Sequence, residues 1–233
     1  CISTELFRLE TAKDKVGIGI LYVNLGIIWV EKDNISAALP CFEKGLIVGE
    51  QTGDKLLCSI ALGCIGNIWR IRGEFSKSEA YLLRDLEICE SLGDLQGLAI
   101  VNELIARLHI TKGEFLKAIS ALNDSLALAQ KINYQKGIAK ALLGLGEAHS
   151  MLNQYESALD LLFTALPFAQ KMSNQLITGQ ILLEKGFIYL KQNNYEAVNT
   201  IIGEVEEIEK QLGNRSFSQQ LIALAKKCAE FVA

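Results

Sequence analysis

The feature that most constrains the fold of this chain is a sequence repeat of forty residues. The stretch 54–93 matches the residues on either side of it when the sequence is shifted by that distance. Three aligned series show the register: Gly26, Gly66, Ala106, Gly146 and Gly186; Trp29, Trp69, His109, His149 and Tyr189; and Ile35, Phe75, Phe115, Tyr155 and Tyr195. Tandem repeats of this length are typical of solenoids, in which each unit covers its apolar face only by packing on its neighbours.

A second spacing, of twenty residues, divides each repeat in two. Ten residues lie at this spacing, and eight of them are Gly or Asn: Asp33, Gly53, Gly73, Gly93, Gly113, Asn133, Asn153, Ser173, Asn193 and Gly213. Gly and Asn tolerate the left-handed backbone conformation that ends a helix. Between these positions apolar residues recur every three or four residues, which predicts helices of about 17 residues. We call the two helices of each repeat its first and second helix.

The two spacings predict an all-α fold built from antiparallel helix pairs. Only two prolines interrupt the chain, and 50% of its residues are hydrophobic, so we expect one continuous apolar core along a single elongated domain. The predicted parts are a second helix of a truncated preceding repeat at 1–13, five repeats at 14–53, 54–93, 94–133, 134–173 and 174–213, and a closing helix at 214–233. The closing helix either caps the solenoid or begins a truncated sixth repeat.

The opening residues lack the first helix of their pair. Cys1 aligns with Cys41, and Asp14 aligns with Asp54, so residues 1–13 have the pattern of a second helix. We therefore expect the sequence to be a piece of a longer protein.

Composition excludes several classes of function. The net charge is −4 and the pI is about 5.4, with Lys and Arg dispersed along the chain, so direct nucleic-acid binding is not predicted. The most apolar run, 16–30, is shorter than the roughly 20 residues that span a bilayer, and no membrane insertion is predicted. The six cysteines show no pairing or metal-ligand spacing, which favours a reducing, cytoplasmic location.

The sequence holds no pattern for catalysis. His109 and His149 lie forty residues apart at a position where large aromatic residues are expected to pack, and neither has a metal-ligand partner at helical spacing. Ser59, Cys64 and Glu103 offer the chemistry of a triad on paper, but nothing in their spacing brings them together. Neither a phosphate-binding loop nor a nucleophile elbow is present. We therefore predict no enzyme activity, no cofactor and no metal site.

Small residues recur where two helices must approach closely. The first helices carry the series that contains Gly66, and the second helices carry Ala38, Ser78, Ala118 and Ala158. Bulk at either position would push the helices apart. The aromatic series are expected to fill the space between repeats, where each buried ring contributes about 1.5–3 kcal/mol.

The motifs Cys-Ile-Gly-Asn at 64–67, Gly-Glu-Phe at 73–75 and Leu-Gly-Asp at 92–94 resemble the tetratricopeptide repeat. The period is longer than the roughly 34 residues of the commonest form. It is similar to the extended form in Leu-Gly-Asn-repeat modulators of G-protein signalling and in bacterial regulators of the MalT and peptide-sensing types. The resemblance covers nearly the whole chain. It implies a right-handed superhelix whose first helices line a concave groove for a protein or peptide ligand.

In that family the free face of the first helices carries the ligand contacts. We expect charge-assisted hydrogen bonds to a partner peptide from six residues on this face: Asn67, Arg70, Glu103, Arg107, Lys140 and Glu147. Chaperone-tail-binding members grip a terminal carboxylate with Lys and Asn, but here the Lys position reads Val23, Gly63, Glu103, Leu143 and Leu183. Binding of chaperone tails is therefore not expected. The alternative is a solvated face that holds no ligand in this segment.

Two functions remain open from the sequence. The first is a scaffold that binds a peptide or partner helix in its groove without chemistry of its own. The second is an effector- or peptide-sensing segment of a larger signalling or transcriptional regulator. Self-association through an apolar patch around Phe187 and Leu190 is a third possibility.

Overall fold

The computed structural model describes residues 14–213 and 216–232. These residues form eleven α-helices and no β-strand: α1 Lys15–Glu31, α2 Ile35–Thr52, α3 Lys55–Ile71, α4 Phe75–Leu92, α5 Leu95–Thr111, α6 Phe115–Lys131, α7 Gln135–Met151, α8 Tyr155–Lys171, α9 Gln175–Lys191, α10 Tyr195–Leu212 and α11 Ser218–Val232. The odd-numbered helices up to α9 are the first helices of the predicted repeats, and the even-numbered helices are the second. The second helix predicted over residues 1–13 lies outside the described residues.

All ten residues of the twenty-residue spacing have a positive φ, between 51° at Ser173 and 77° at Gly73 and Gly113. Each therefore adopts the left-handed conformation that ends a helix, as predicted. The residue after each turn closes the preceding helix: the N–H of Asn34 donates to the carbonyl of Trp29 at 2.8 Å, and this bond recurs through the described repeats. The turn positions predicted from the sequence are confirmed.

Six of the described helices, α1, α2, α3, α5, α9 and α10, begin with an Asp or Asn whose side chain caps the helix. Asp54 accepts a hydrogen bond from the N–H of Leu57 at 2.9 Å, and Asn174 accepts one from the N–H of Ile177 at 3.1 Å. Asp and Asn satisfy backbone donors that have no partner inside the helix. A residue with positive φ followed by a capping Asp or Asn thus both ends one helix and begins the next.

The chain divides into two compact units, one ending at Gly113 and the other beginning at Glu114. In the first unit α1 pairs with α2 and α3 pairs with α4, and the first helices α1, α3 and α5 contact one another in that order. In the second unit α6 packs on α7, α7 pairs with α8, α9 pairs with α10, and α7, α9 and α11 stand side by side. In each unit the first helices therefore form a continuous face, and it is this face that carries the candidate site.

Small residues lie at the contact between paired helices, as predicted. Ala38, Ser78, Ala118 and Ala158 are fully buried. A Cβ atom built on Gly146 would lie 2.8 Å from Leu162, which is closer than side chains allow. The helices of a pair therefore approach as closely as their backbones permit.

The apolar patch predicted around Phe187 and Leu190 is not an exposed surface. Leu190 is buried, and Phe187 packs partly buried against the same core cluster of the second unit. Both side chains pack inside their own unit, and self-association of the protein stays a prediction. Within the described residues, no helix has the length and apolar character that crossing a membrane requires.

Candidate functional site

Asn67 and Arg70 form a polar cluster at the end of α3. The guanidinium of Arg70 donates to Asn67 Oδ1 through Nε at 3.1 Å and through Nη2 at 3.0 Å. Its Nη1 donates to Thr111 Oγ1 on α5 at 3.2 Å. Arg70 therefore links the last turns of two neighbouring first helices while its side chain stays partly exposed.

Glu103 and Arg107 form an ion pair one turn apart on α5. Glu103 is only 3% exposed, whereas 25% of the Arg107 side chain remains accessible. The carboxylate of Glu103 is thus largely covered and holds the guanidinium of Arg107 in place, and its contact with a partner stays a prediction. On this part of the face a partner would meet Arg107.

In the second unit, Lys140 and Glu147 lie two turns apart on α7, and both are half-buried. Glu184 lies on the adjacent first helix, α9. Burial, followed by the charge of Glu147, raises the pKa of Glu184, and a hydrogen bond with Ser150 opposes this rise. The two carboxylates are therefore close enough to repel each other, and a cationic group placed between them would relieve that repulsion.

A cavity of about 500 Å³ opens between α3 and α5 of the first unit. Its wall includes the apolar side chains of Leu56, Ile60, Ile100 and Leu104. Asp85 reaches it from the second helix α4, and Asp94 lies at the start of α5. Sites for small ligands typically measure about 300–1,000 Å³, so the cavity is large enough to hold one.

Asp85 is 4% exposed and makes its hydrogen bonds through one oxygen. Ser59 Oγ donates to Asp85 Oδ1 at 2.5 Å, and Cys89 Sγ donates to the same oxygen at 3.5 Å. Burial raises the pKa of Asp85 to about 6. It also raises the pKa of the Cys89 thiol to about 11 and that of Cys64 to about 12, so both thiols stay protonated and are poor nucleophiles.

Asp85 was not among the site residues predicted from the sequence. The signal that marks it is a break in the repeat at four equivalent positions. In the second repeat these positions hold Ser59, Gly63, Asp85 and Cys89. In the fourth repeat the same positions hold small or apolar residues, Ala139, Leu143, Ala165 and Ala169. All four residues of the fourth repeat are buried. The second repeat therefore keeps an acid and a cavity at positions where the fourth repeat is filled with small or apolar side chains.

No group of three or more His, Cys, Asp or Glu side chains that could hold a metal ion occurs within 14–213 and 216–232. His149 is engaged with its neighbour Gln154, with 2.6 Å between Nδ1 and Oε1. Ser59 and Cys64, considered for a triad, both line the cavity beside Asp85, whereas Glu103 pairs with Arg107. The cavity wall contains no histidine to act as a base for Ser59.

Comparison with known proteins identifies the repeat. Residues 97–171 match the family model described as tetratricopeptide repeat. No curated protein sequence matches the chain. The resemblance predicted from the motifs is thus confirmed for the tetratricopeptide repeat, while the likeness to MalT-type regulators stays a prediction.

Solved structures share the fold over most of the chain. A Rap protein complexed with competence and sporulation factor superposes with a TM-score of 0.82 at 15% identity, over 99% of this chain and 68% of that one. Aspartyl phosphate phosphatase F from Bacillus subtilis gives a TM-score of 0.71 at 14% identity, over 95% and 59%. A STAND protein with a tetratricopeptide repeat sensor from Pyrococcus horikoshii gives 0.66 at 15%, over 90% and 31%. At these identities the likeness shows the fold alone.

Proposed function

Because residues 97–171 belong to the tetratricopeptide repeat family and the described helices share its fold, we propose that this chain is a protein-interaction module. It binds a peptide or a partner helix on the face formed by its first helices, and it has no chemistry of its own. This fold is typically non-catalytic, and its function depends on the site that it carries.

The observation that carries the proposal is the presence of polar and charged side chains on this face, where packing between helices does not need them. Arg70 bridges α3 and α5 through Asn67 and Thr111, and Arg107 is held by the buried Glu103. Guanidinium groups fixed in this way lose little freedom when they bind a carboxylate or a peptide carbonyl. The first unit therefore presents two positioned donors to a ligand that lies across its first helices.

Charge reversal on the face tests the proposal. Arg70→Glu and Lys140→Glu are expected to lose the bound partner in affinity capture measured by quantitative mass spectrometry. Arg84→Glu is the matched control, because Arg84 lies on the second helix α4 and pairs with Glu50 at 3.0 Å away from the first-helix face. Partners lost with Arg70→Glu and retained with Arg84→Glu support the proposal. Equal retention by both variants would place the contacts elsewhere.

Arg107→Glu is unsuitable as a first test. It would place a second carboxylate beside the buried Glu103, and the variant would lose stability as well as any partner contact. Arg70 donates to the side chains of Asn67 and Thr111 at the ends of α3 and α5, and Arg70→Glu is therefore the first variant to test.

A sensor segment of a larger regulator is the second candidate function. It is favoured by the cavity of the first unit, which is a pocket for a small group rather than a flat docking face. The neighbours named above include a Rap protein complexed with competence and sporulation factor and a STAND protein with a tetratricopeptide repeat sensor, and this likeness supports the second candidate. A sensor requires two conformations with different ligand affinity. Small-angle scattering that is unchanged by saturating ligand would favour the scaffold.

Three further elements belong to the same proposal. We assign the repeats at 14–53, 54–93, 94–133, 134–173 and 174–213, which the helix bounds support. We place the protein in the cytoplasm, which agrees with the five described cysteines being free thiols. Light scattering at two concentrations tests self-association, and a mass that does not change with concentration excludes it.

A further inference from the structure

We propose that the cavity between α3 and α5 binds an alkylammonium group, a primary ammonium carried on an apolar stem of about four carbons. A lysine side chain of a bound peptide and a free alkylamine share this chemistry. The first source rests on the function proposed above, and the second does not.

Charge in the cavity wall selects a cation. The wall contains two carboxylates, Asp85 and Asp94, and no Lys or Arg. Asp94 already accepts the N–H groups of Gln96 and Gly97 at 3.1 and 3.0 Å through one oxygen, which fixes its carboxylate at the start of α5. A cation between the two acids is attracted by both, and the low dielectric of the buried side strengthens this attraction.

The hydrogen bonds of Asp85 favour ammonium over guanidinium. Asp85 Oδ1 is occupied by the Ser59 hydroxyl and the Cys89 thiol. Within the described residues no donor is recorded for Oδ2, which would lie 2.8 Å from a Cβ atom on Gly63 and therefore borders the space that Gly63 leaves open. A guanidinium binds a carboxylate best through both oxygens, whereas an ammonium needs only one. A single free oxygen therefore suits an ammonium.

The mouth of the cavity suits an apolar stem. Leu56, Ile60 and Ile100 line it and are among the large apolar side chains that remain exposed. A stem of methylene groups would cover these surfaces while its charged end reaches the acid. The apolar side chains at the mouth thus suit the methylene stem of a lysine, and the acids suit its ammonium group.

The repeat supplies the reason to regard the arrangement as a binding site. In the fourth repeat, Leu143 and Ala165 occupy the positions of Gly63 and Asp85, and both are buried. The fold therefore accepts apolar side chains at these two positions. An acid buried beside an open cavity is expected to make the protein less stable than such apolar packing does. Local departures from the best packing are typical of functional sites.

Binding of n-butylammonium tests the proposal without any knowledge of the natural partner. We expect saturable amide shifts in NMR spectra of the uniformly labelled protein at about pH 7.5, near Gly63 and Gly97, with half-saturation below about 100 mM because the probe is small. The neutral isostere n-butanol is expected to bind at least about tenfold more weakly. The carboxyl resonance of Asp85 should report a lower pKa with n-butylammonium present, since an adjacent cation stabilises the ionised form.

Two variants keep the test decisive. Asp85→Asn retains an acceptor for Ser59 but removes the charge, and it should weaken n-butylammonium binding by about tenfold or more. Gly63→Leu combined with Asp85→Ala introduces the residues of the fourth repeat at two of the four positions, so it should stay folded and bind nothing. Equal binding of n-butanol, unchanged binding by Asp85→Asn, or no saturable shift with the wild type would each overturn the proposal.

A pair of peptides separates the two sources of the ammonium. A blocked pentapeptide with a central lysine should displace n-butylammonium, and the same peptide with norleucine should not. Displacement shows that a side chain can enter the cavity. Binding of n-butylammonium without displacement by the lysine peptide supports a free alkylamine as the ligand, and this result stands even when the Arg70→Glu capture experiment shows no partner on the first-helix face.

Discussion

Gly66 lies directly against Leu82 where α3 and α4 cross. A Cβ atom on Gly66 would be 2.8 Å from both Cγ and Cδ2 of Leu82 and 3.4 Å from the carbonyl oxygen of Ser78. Leu82 is almost completely buried, so it has little space into which it can move. Gly146 meets Leu162 at the same distance in the fourth repeat, which makes this contact a property of the helix pair.

Gly66→Ala is therefore expected to destabilise the protein, although alanine favours a helix. Overpacking a filled core costs about 1–3 kcal/mol, which exceeds the gain of about 1 kcal/mol in helix propensity. Gly203→Ala is the control, because Gly203 lies within α10 and a Cβ atom there meets nothing within 4 Å. Urea unfolding should show a lower free energy of unfolding for Gly66→Ala and a higher one for Gly203→Ala. A stabilised Gly66→Ala would show that α3 and α4 can move apart.

The turns could be predicted from the sequence, whereas the cavity could not. Turns such as Asn153 depend on a residue type that tolerates positive φ, which is a local property, and the forty-residue register repeats it often enough to be recognised. The cavity depends on what faces Gly63 from another helix. From the sequence, Asp85 looks like a surface acid. The spacing of apolar residues along α4 does not show that the Asp85 side chain points between α3 and α5. Burial of Glu103 was missed for the same reason.

Replacing only Arg107 of the buried ion pair should lower the free energy of unfolding more than replacing both Glu103 and Arg107 by apolar residues. Arg107→Met leaves the carboxylate of Glu103 in a site that is 3% exposed, and such a loss typically costs about 3–5 kcal/mol. Glu103→Leu with Arg107→Met should recover most of that loss, because Leu143 is buried at the equivalent position of the fourth repeat. Chemical denaturation of the two single variants and the double variant gives the coupling energy. Equal destabilisation by Arg107→Met and by the double variant would show that the loss does not come from the buried carboxylate of Glu103.

Asp85 should make the protein less stable as the pH rises. Burial raises its pKa in the folded protein to about 6 from 3.8, so the folded state binds this proton more tightly than the unfolded chain. The stability that the proton contributes is complete below pH 3.8 and is lost as the pH rises through about 6. At about 1.4 kcal/mol for each unit of pKa, the loss is about 3 kcal/mol.

Asp85→Asn isolates this effect from the other acids, which also titrate in this range. The difference in free energy of unfolding between Asp85→Asn and the wild type should grow in favour of the variant between about pH 4 and pH 7, since only the wild type loses the proton. Urea unfolding at several pH values measures it. A difference that stays constant with pH would mean that Asp85 is better solvated than its burial indicates.

Lys185 is a second position where the repeat carries a charge in place of an apolar residue. Leu25, Ile65, Ile105 and Leu145 occupy the equivalent positions, but Lys185 is 8% exposed, with Nζ 4.1 Å from the centre of the Phe163 ring. Burial lowers the pKa of Lys185, and the charge of Glu204 partly opposes that change. Because desolvation is the larger of these two effects, the charged amine is a net cost to the folded state at neutral pH.

Lys185→Leu should therefore raise the free energy of unfolding by about 1 kcal/mol at neutral pH, after the lost cation–π contact with Phe163 is subtracted. A group whose folded-state pKa is lowered contributes stability as the pH rises through that pKa, so the advantage of the variant should narrow as the pH approaches 10.5, the ordinary value for lysine. Lys227→Leu on the exposed face of α11 is the control, and little change is expected there. A Lys185→Leu variant that is less stable than the wild type would show that the contact with Phe163 outweighs the burial of the amine.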